Sequence, residues 1–178
     1  FQGNPMVHLA NKDETLVEHP LVSAMNAIGY DAFVPGNHDF DYGLPLLTRI
    51  EKQANFSFLA ANARHMKTKE AKWAPYLVKE VKGVRVGIIG LTSPGIPGWL
   101  PKNNYKGLQF AGTIETVARL VPRLKGQERC DLIVVAFHGG PTNRHTDGDP
   151  TINNGYEIAR QVKGIDLLLL GHTHQVVS

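Results

Sequence analysis

The sequence is short of cysteine, of long apolar runs and of excess charge, and each scarcity removes a class of protein. Among 178 residues only Cys130 is a cysteine. An intrachain disulfide framework and a multi-cysteine zinc knuckle are therefore excluded, although the compartment is not fixed by this. No apolar run approaches the ~20 residues of a membrane span; the run Leu167–Leu170 reads instead as a buried strand. Lys plus Arg number 19 against 16 Asp plus Glu, a formal charge of +3. The basic residues are scattered, with Lys67, Lys69 and Lys72 the densest group, which reads as a solvated face rather than a stripe for a nucleic-acid polymer. Phosphate-loop and Gly-x-Ser-x-Gly signatures are missing, and Val86 to Gly90 lacks the spacing of a dinucleotide loop. No signal-peptide pattern follows Phe1, and that start reads as trimmed or internal.

What is present is enough to fold. Apolar residues make up 42%, which excludes wholesale disorder, and this length supports one domain or most of one. Strand and helix signals alternate, the pattern of an α/β protein. Leu21, Val22, Met25 and Ile28 share a helical face closed by Gly29, and 32–34 is a short strand. A helix over 44–54, with Pro45 in its first turn, precedes a strand at 57–60. Tyr76–Val81 and Val84–Leu91 flank Lys82-Gly83 as a hairpin, implying a mixed sheet. A Pro/Gly-rich loop over 93–107 leads to a helix over 113–124 with Thr116, Arg119 and Arg123 outward, its last turn weakened by Pro122. Residues 131–137 form a buried strand, 138–153 a long polar loop, 156–162 a helix and 166–170 a last strand.

Three strands end abruptly in histidine-bearing loops: Val34 into Asn37-His38, Phe137 into His138, and Leu170 into His172. In parallel α/β sheets ligands bind beyond the carboxyl ends of the strands, so these loops are expected to converge. His172 and His174 share a face if their strand persists through them, and could then serve one metal or two; otherwise they are incidental loop histidines. His138, backed by Gly139-Gly140, is a ligand or a hydrogen-bonded structural residue. Asn37 offers a neutral oxygen donor and His38 an acid near pH 7, with Asp39 or Asp41 placed to orient the ring; an Asx-type turn is the competing reading. His8, His19, His65 and His145 read as solvated or capping residues.

Gly36-Asn37-His38-Asp39, His138-Gly139-Gly140 and Gly171-His172-Thr173-His174, in that order, resemble the last three signature motifs of the calcineurin-like metallophosphoesterases. Gly36 to Gly43, reading GNHDFDYG, looks like the 5′-nucleotidase and 2′,3′-cyclic-nucleotide 2′-phosphodiesterase branch. Phe1 to Pro5 resembles the segment that follows the family's second motif. His19-Pro20 through Asn26, Ile96 to Trp99, and Asn154 to Tyr156 with Gly164 to Asp166 look closest to the cyclic phosphodiesterase/3′-nucleotidase members, whereas Asp41 leans toward the 5′-nucleotidases.

The resemblance implies an αββα sandwich of mixed sheets holding two divalent metal ions, with manganese, zinc, iron and cobalt all compatible. It makes Asn37, His138 and His172 ligands of one metal and His174 a ligand of the other. It makes His38 the residue that contacts phosphate and assists the leaving group, oriented by Asp41. The substrate would be a nucleotide or cyclic nucleotide, and the protein would be exported. The family's first two motifs, Asp-x-His and Gly-Asp, are absent. Asn37 and three neutral imidazoles bring no negative charge to offset two divalent cations, a costly excess to desolvate. The chain is thus expected to be part of a catalytic domain, inactive by itself, without the substrate domain that follows in the family. The rival expectations are a non-catalytic metal- or nucleotide-binding module and a purely structural α/β domain.

Overall fold

A computed structural model describes residues 1–13, 15–142 and 151–176. Two helices open the chain. Helix α1 (Pro5–Lys12) starts where the Asn4 side chain accepts from Val7 N–H at 3.0 Å, with Pro5 in the first turn. Helix α2 (Pro20–Ile28) is capped by the His19 ring, which accepts from Leu21 N–H, and ends at Gly29 in the left-handed conformation. His19 is therefore a buried cap, not a solvated residue.

Strand β1 (Ala32–Phe33) leads through a 3-10 turn (Asn37–Phe40) to α3 (Gly43–Gln53) and β2 (Ser57–Phe58); β1 and β2 pair in parallel. Strand β3 (Ala63–His65) pairs antiparallel with β6 (Leu108–Phe110). Strands β4 (Tyr76–Val81) and β5 (Val84–Leu91) form the expected hairpin. Lys82 and Gly83 both hold positive φ, as a two-residue turn matched to strand twist requires. Short α4 (Ile96–Trp99) and a 3-10 turn (Lys102–Tyr105) interrupt the loop before β6. Helix α5 (Thr113–Gly126), β7 (Leu132–Phe137), α6 (Gly155–Gln161) and β8 (Leu167–Leu170) complete a four-stranded mixed sheet of order β4-β5-β7-β8, in which β5, β7 and β8 run parallel.

Two apolar cores result. One packs α5 and α6 on the four-stranded sheet through Val117, Leu120, Leu124, Ile89, Val135 and Ile158. The other gathers α2 and α3 over the short sheets through Val22, Leu47, Ile50, Phe40, Phe58 and Trp73. This mixed α/β arrangement of sheets and helices agrees with the expected sandwich. Buried Asn62 ties the halves: its amide donates to Thr92 O at 2.8 Å, and its oxygen accepts from Thr92 N at 3.0 Å, where β5 exits.

Three local expectations are corrected. The polar opening of the chain contains α1, which apolar periodicity alone did not reveal. Thr116 is 2% exposed rather than outward, because its hydroxyl donates to Gly112 O at 2.6 Å and so loses its need for water. Strand β8 is not buried: it is the sheet's edge, with Leu167 49%, Leu169 51% and Leu170 38% exposed, and only Leu168 packs on the core. Helix α5 meanwhile runs through Pro122 to Gly126, with Pro122 on its exposed side.

Candidate active site

The parallel direction of β5, β7 and β8 sends their carboxyl ends to one edge of the sheet. His138 leaves β7 there and His172 leaves β8. Asn37 arrives from β1, 101 residues from His138 and 135 from His172 in sequence. The Asn37 Oδ1 lies 3.0 Å from His138 Nε2 and 3.2 Å from His172 Nδ1. The predicted convergence of three histidine-bearing loops is thus present.

Backbone bonds hold each loop. The Asp39 carboxylate accepts from Gly36 N–H at 2.7 Å, so Asp39 shapes the turn and is not turned to His38. Gly36 is required for contact: a Cβ there would sit 2.4 Å from the His138 ring. The His138-Gly139-Gly140 segment is pinned where Asn153 Oδ1 accepts from Gly140 N–H at 2.6 Å and Gly155 N–H donates to Gly140 O at 3.1 Å.

His38 stands at the rim, its side chain 65% exposed. Its Nδ1 lies 3.0 Å from Asp41 Oδ2, so of the two aspartates it is Asp41 that meets the ring. The Asn104 amide donates to Phe40 O at 3.0 Å and Asp41 O at 2.9 Å, fixing the turn that carries this pair. The half-buried His138 ring is held toward its neutral form: desolvation first, and the imidazole of His172 next, push its pKa down to about 4. A neutral ring keeps a lone pair for a ligand role at pH 7.

His172 and His174 depart from the sequence expectation. The strand stops at Leu170, and both residues hold positive φ, at 71° and 52°. Left-handed backbone at non-glycine residues stores local strain, so the strand-face picture fails here. Among the described residues, no three His, Cys, Asp or Glu side chains converge on a common metal position; His174 does not join His138 and His172 in such a group. His145 lies outside the described residues. Trp99 was missed as a site residue: its indole stacks on His172 with ring centroids 5.0 Å apart and planes at 27°. Its signal was an aromatic in the Pro/Gly loop leaving β5, a strand that runs parallel beside β7 in the four-stranded sheet.

The calcineurin-like phosphoesterase family model matches residues 9–176, and the chain belongs to that family of phosphoric ester hydrolases. It is similar to the trifunctional nucleotide phosphoesterase protein YfkN of Bacillus subtilis, 32% identical over 189 residues, covering 98% of this chain and 13% of that protein. It is also 28% identical to a 2′,3′-cyclic-nucleotide 2′-phosphodiesterase/3′-nucleotidase of Haemophilus influenzae, covering 99% of this chain and 28% of the relative. The crystal structure of the calcineurin-like phosphoesterase YfkN from Bacillus subtilis superposes with a TM-score of 0.86 at 32% identity, over 98% of this chain and 56% of that one. The chain therefore spans well under two thirds of these relatives. No helix among the described residues is long and apolar enough to cross a membrane.

Proposed function

We propose that this chain supplies part of the catalytic domain of an exported, metal-dependent enzyme that hydrolyses nucleotide phosphoesters, as a 2′,3′-cyclic-nucleotide 2′-phosphodiesterase or a 3′- or 5′-nucleotidase. The observation that carries the reading is the meeting of Asn37 Oδ1 with the rings of His138 and His172 beside the His38–Asp41 pair.

The donor atoms fit half of a dinuclear site. Separations of 3.0 and 3.2 Å match the ~3.0–3.4 Å edge between adjacent ligands of an ion with bonds of ~2.1 Å. Asn37, His138 and His172 would hold one divalent ion, and His174 would serve the second. All four are neutral donors, so carboxylate ligands are needed from outside this set. Divalent ions bound there supply Lewis-acid activation at phosphorus.

The chain's own residues then divide the work. Asp41 takes the Nδ1 side of His38 and leaves Nε2 facing outward, where a protonated ring contacts a phosphoryl oxygen and donates its proton to the departing ribose oxygen. The test is hydrolysis of bis(p-nitrophenyl) phosphate by the full-length protein, stripped of metal and resupplied with manganese. Restored turnover is expected. Silence with manganese bound would overturn the reading in favour of a binding module.

A further inference from the structure

A second concave site lies on the flank of α5. It is a cavity of about 310 Å³, whose polar lining is Arg64 from β3, Lys69 and Glu70 from the following turn, and Arg119 and Arg123 from α5. Four cationic side chains thus face one carboxylate. The partners these cations do have are neutral: Lys69 donates to the Gln109 side-chain oxygen at 3.1 Å, and the Arg123 guanidinium lies 5.4 Å from the Tyr76 ring centroid. Arg64 and Arg119 make no side-chain hydrogen bond or ion pair with any described residue, and Glu70 forms no ion pair among them.

The arrangement gathers like charge along one wall. Arg64 is half-buried, and a guanidinium carries five donors that want oxygen partners. Burial and the neighbouring charge of Arg119 both pull its pKa below the ordinary guanidinium value, so the two cations oppose one another. Arg119 and Arg123 sit one helical turn apart, which sets two planar forks along one wall. Guanidinium forks match phosphate oxygens in pairs and bind them with charge-assisted hydrogen bonds.

We propose that this pocket is a second, non-catalytic binding site for a phosphate group, carried either by inorganic phosphate or by a nucleotide. The site needs neither metal nor any residue of the His138 cluster, so its failure and that of the hydrolase reading are separable.

The experiment is equilibrium dialysis of the metal-stripped full-length protein with labelled inorganic phosphate, and in a second arm with labelled AMP. Saturable binding is expected, unchanged in His138→Ala and weakened at least about tenfold in Arg64→Gln/Arg119→Gln. Tighter retention of AMP assigns the nucleotide as source; equal or tighter retention of phosphate assigns the free ion. The exposed Arg119→Gln change alone keeps the test valid if the double variant fails to fold. Absence of saturable binding, or binding indifferent to the arginine substitutions, overturns the proposal.

Discussion

Gly36, His38 and Trp99 act on the same cluster in three separable ways. A methyl group at Gly36 would overlap the His138 imidazole at 2.4 Å, and that ring is also engaged by Asn37 and the ring of His172. Gly36→Ala is expected to displace His138, costing about 1–3 kcal/mol of stability and weakening manganese binding, both readable by urea unfolding and by metal titration. The His38 ring bonds to Asp41 and to neither Asn37 nor His138. His38→Ala should therefore lower turnover roughly 10²–10⁴-fold while metal content is retained; unchanged turnover would remove His38 from the mechanism. Trp99 supports His172 through its ring face alone. Trp99→Ala should weaken manganese affinity about 10–100-fold, with Trp99→Phe recovering most of it. Equal affinities in all three proteins would make Trp99 a bystander. Asn37, His38 and His138 were legible in the sequence because each sits at an abrupt change from apolar strand to polar loop. The stacking of Trp99 was not, since it depends on a contact between loops 73 residues apart.

Elements show where local chemistry suffices and where it does not. Helix α2 carries its start and stop signals in His19-Pro20 and Gly29, and the hairpin turn carries Lys82-Gly83; both were readable. Helix α1 was equally signalled by Asn4-Pro5, yet its exposed Met6 and Leu9 break the apolar stripe on which periodicity depends. The His19 cap also sets a pH dependence. Its Nδ1 accepts from Leu21 N–H at 3.3 Å and its Nε2 lies 3.0 Å from Asn11 Oδ1, so the folded state uses the neutral ring. Burial, then the charge of Arg49, lowers its folded pKa below the ordinary 6.5. The unfolded chain thus binds more protons just below pH 6.5, and the cap's contribution is present above that pH and lost as pH falls toward the folded pKa. Amide exchange in α2 should accelerate between pH 7 and pH 5 beyond the intrinsic rate change. His19→Asn, a cap that does not titrate, should abolish the excess; its persistence would locate the titration elsewhere.

At the scale of the whole molecule, the alternation of strand and helix gave the α/β class, because each element's period is written locally. The place of a strand within its sheet is not written that way. Leu167–Leu170 has no alternation, and four leucines read as buried whichever face they occupy. Among the described residues, β7 lies on one side of β8 and no strand on the other, so two leucines on one face and Leu170 at the end meet solvent. An apolar edge strand with free backbone donors and acceptors is a template for pairing with another chain. Leu132 of the neighbouring strand is also 43% exposed, which extends the apolar surface beyond β8. The chain of residues 1–178, purified as such, is therefore expected to self-associate with rising concentration. Inward Leu168 must stay to hold the core, whereas Leu167 and Leu169 are free to change. Leu167→Lys/Leu169→Lys should suppress the association by placing like charges along the edge, with little loss of stability, since both positions are about half exposed and lie outside the core cluster. Light scattering against concentration reads the first effect and thermal unfolding the second. Association undiminished in the double-lysine variant would move the sticky surface to the exposed apolar residues of α1, Met6 and Leu9.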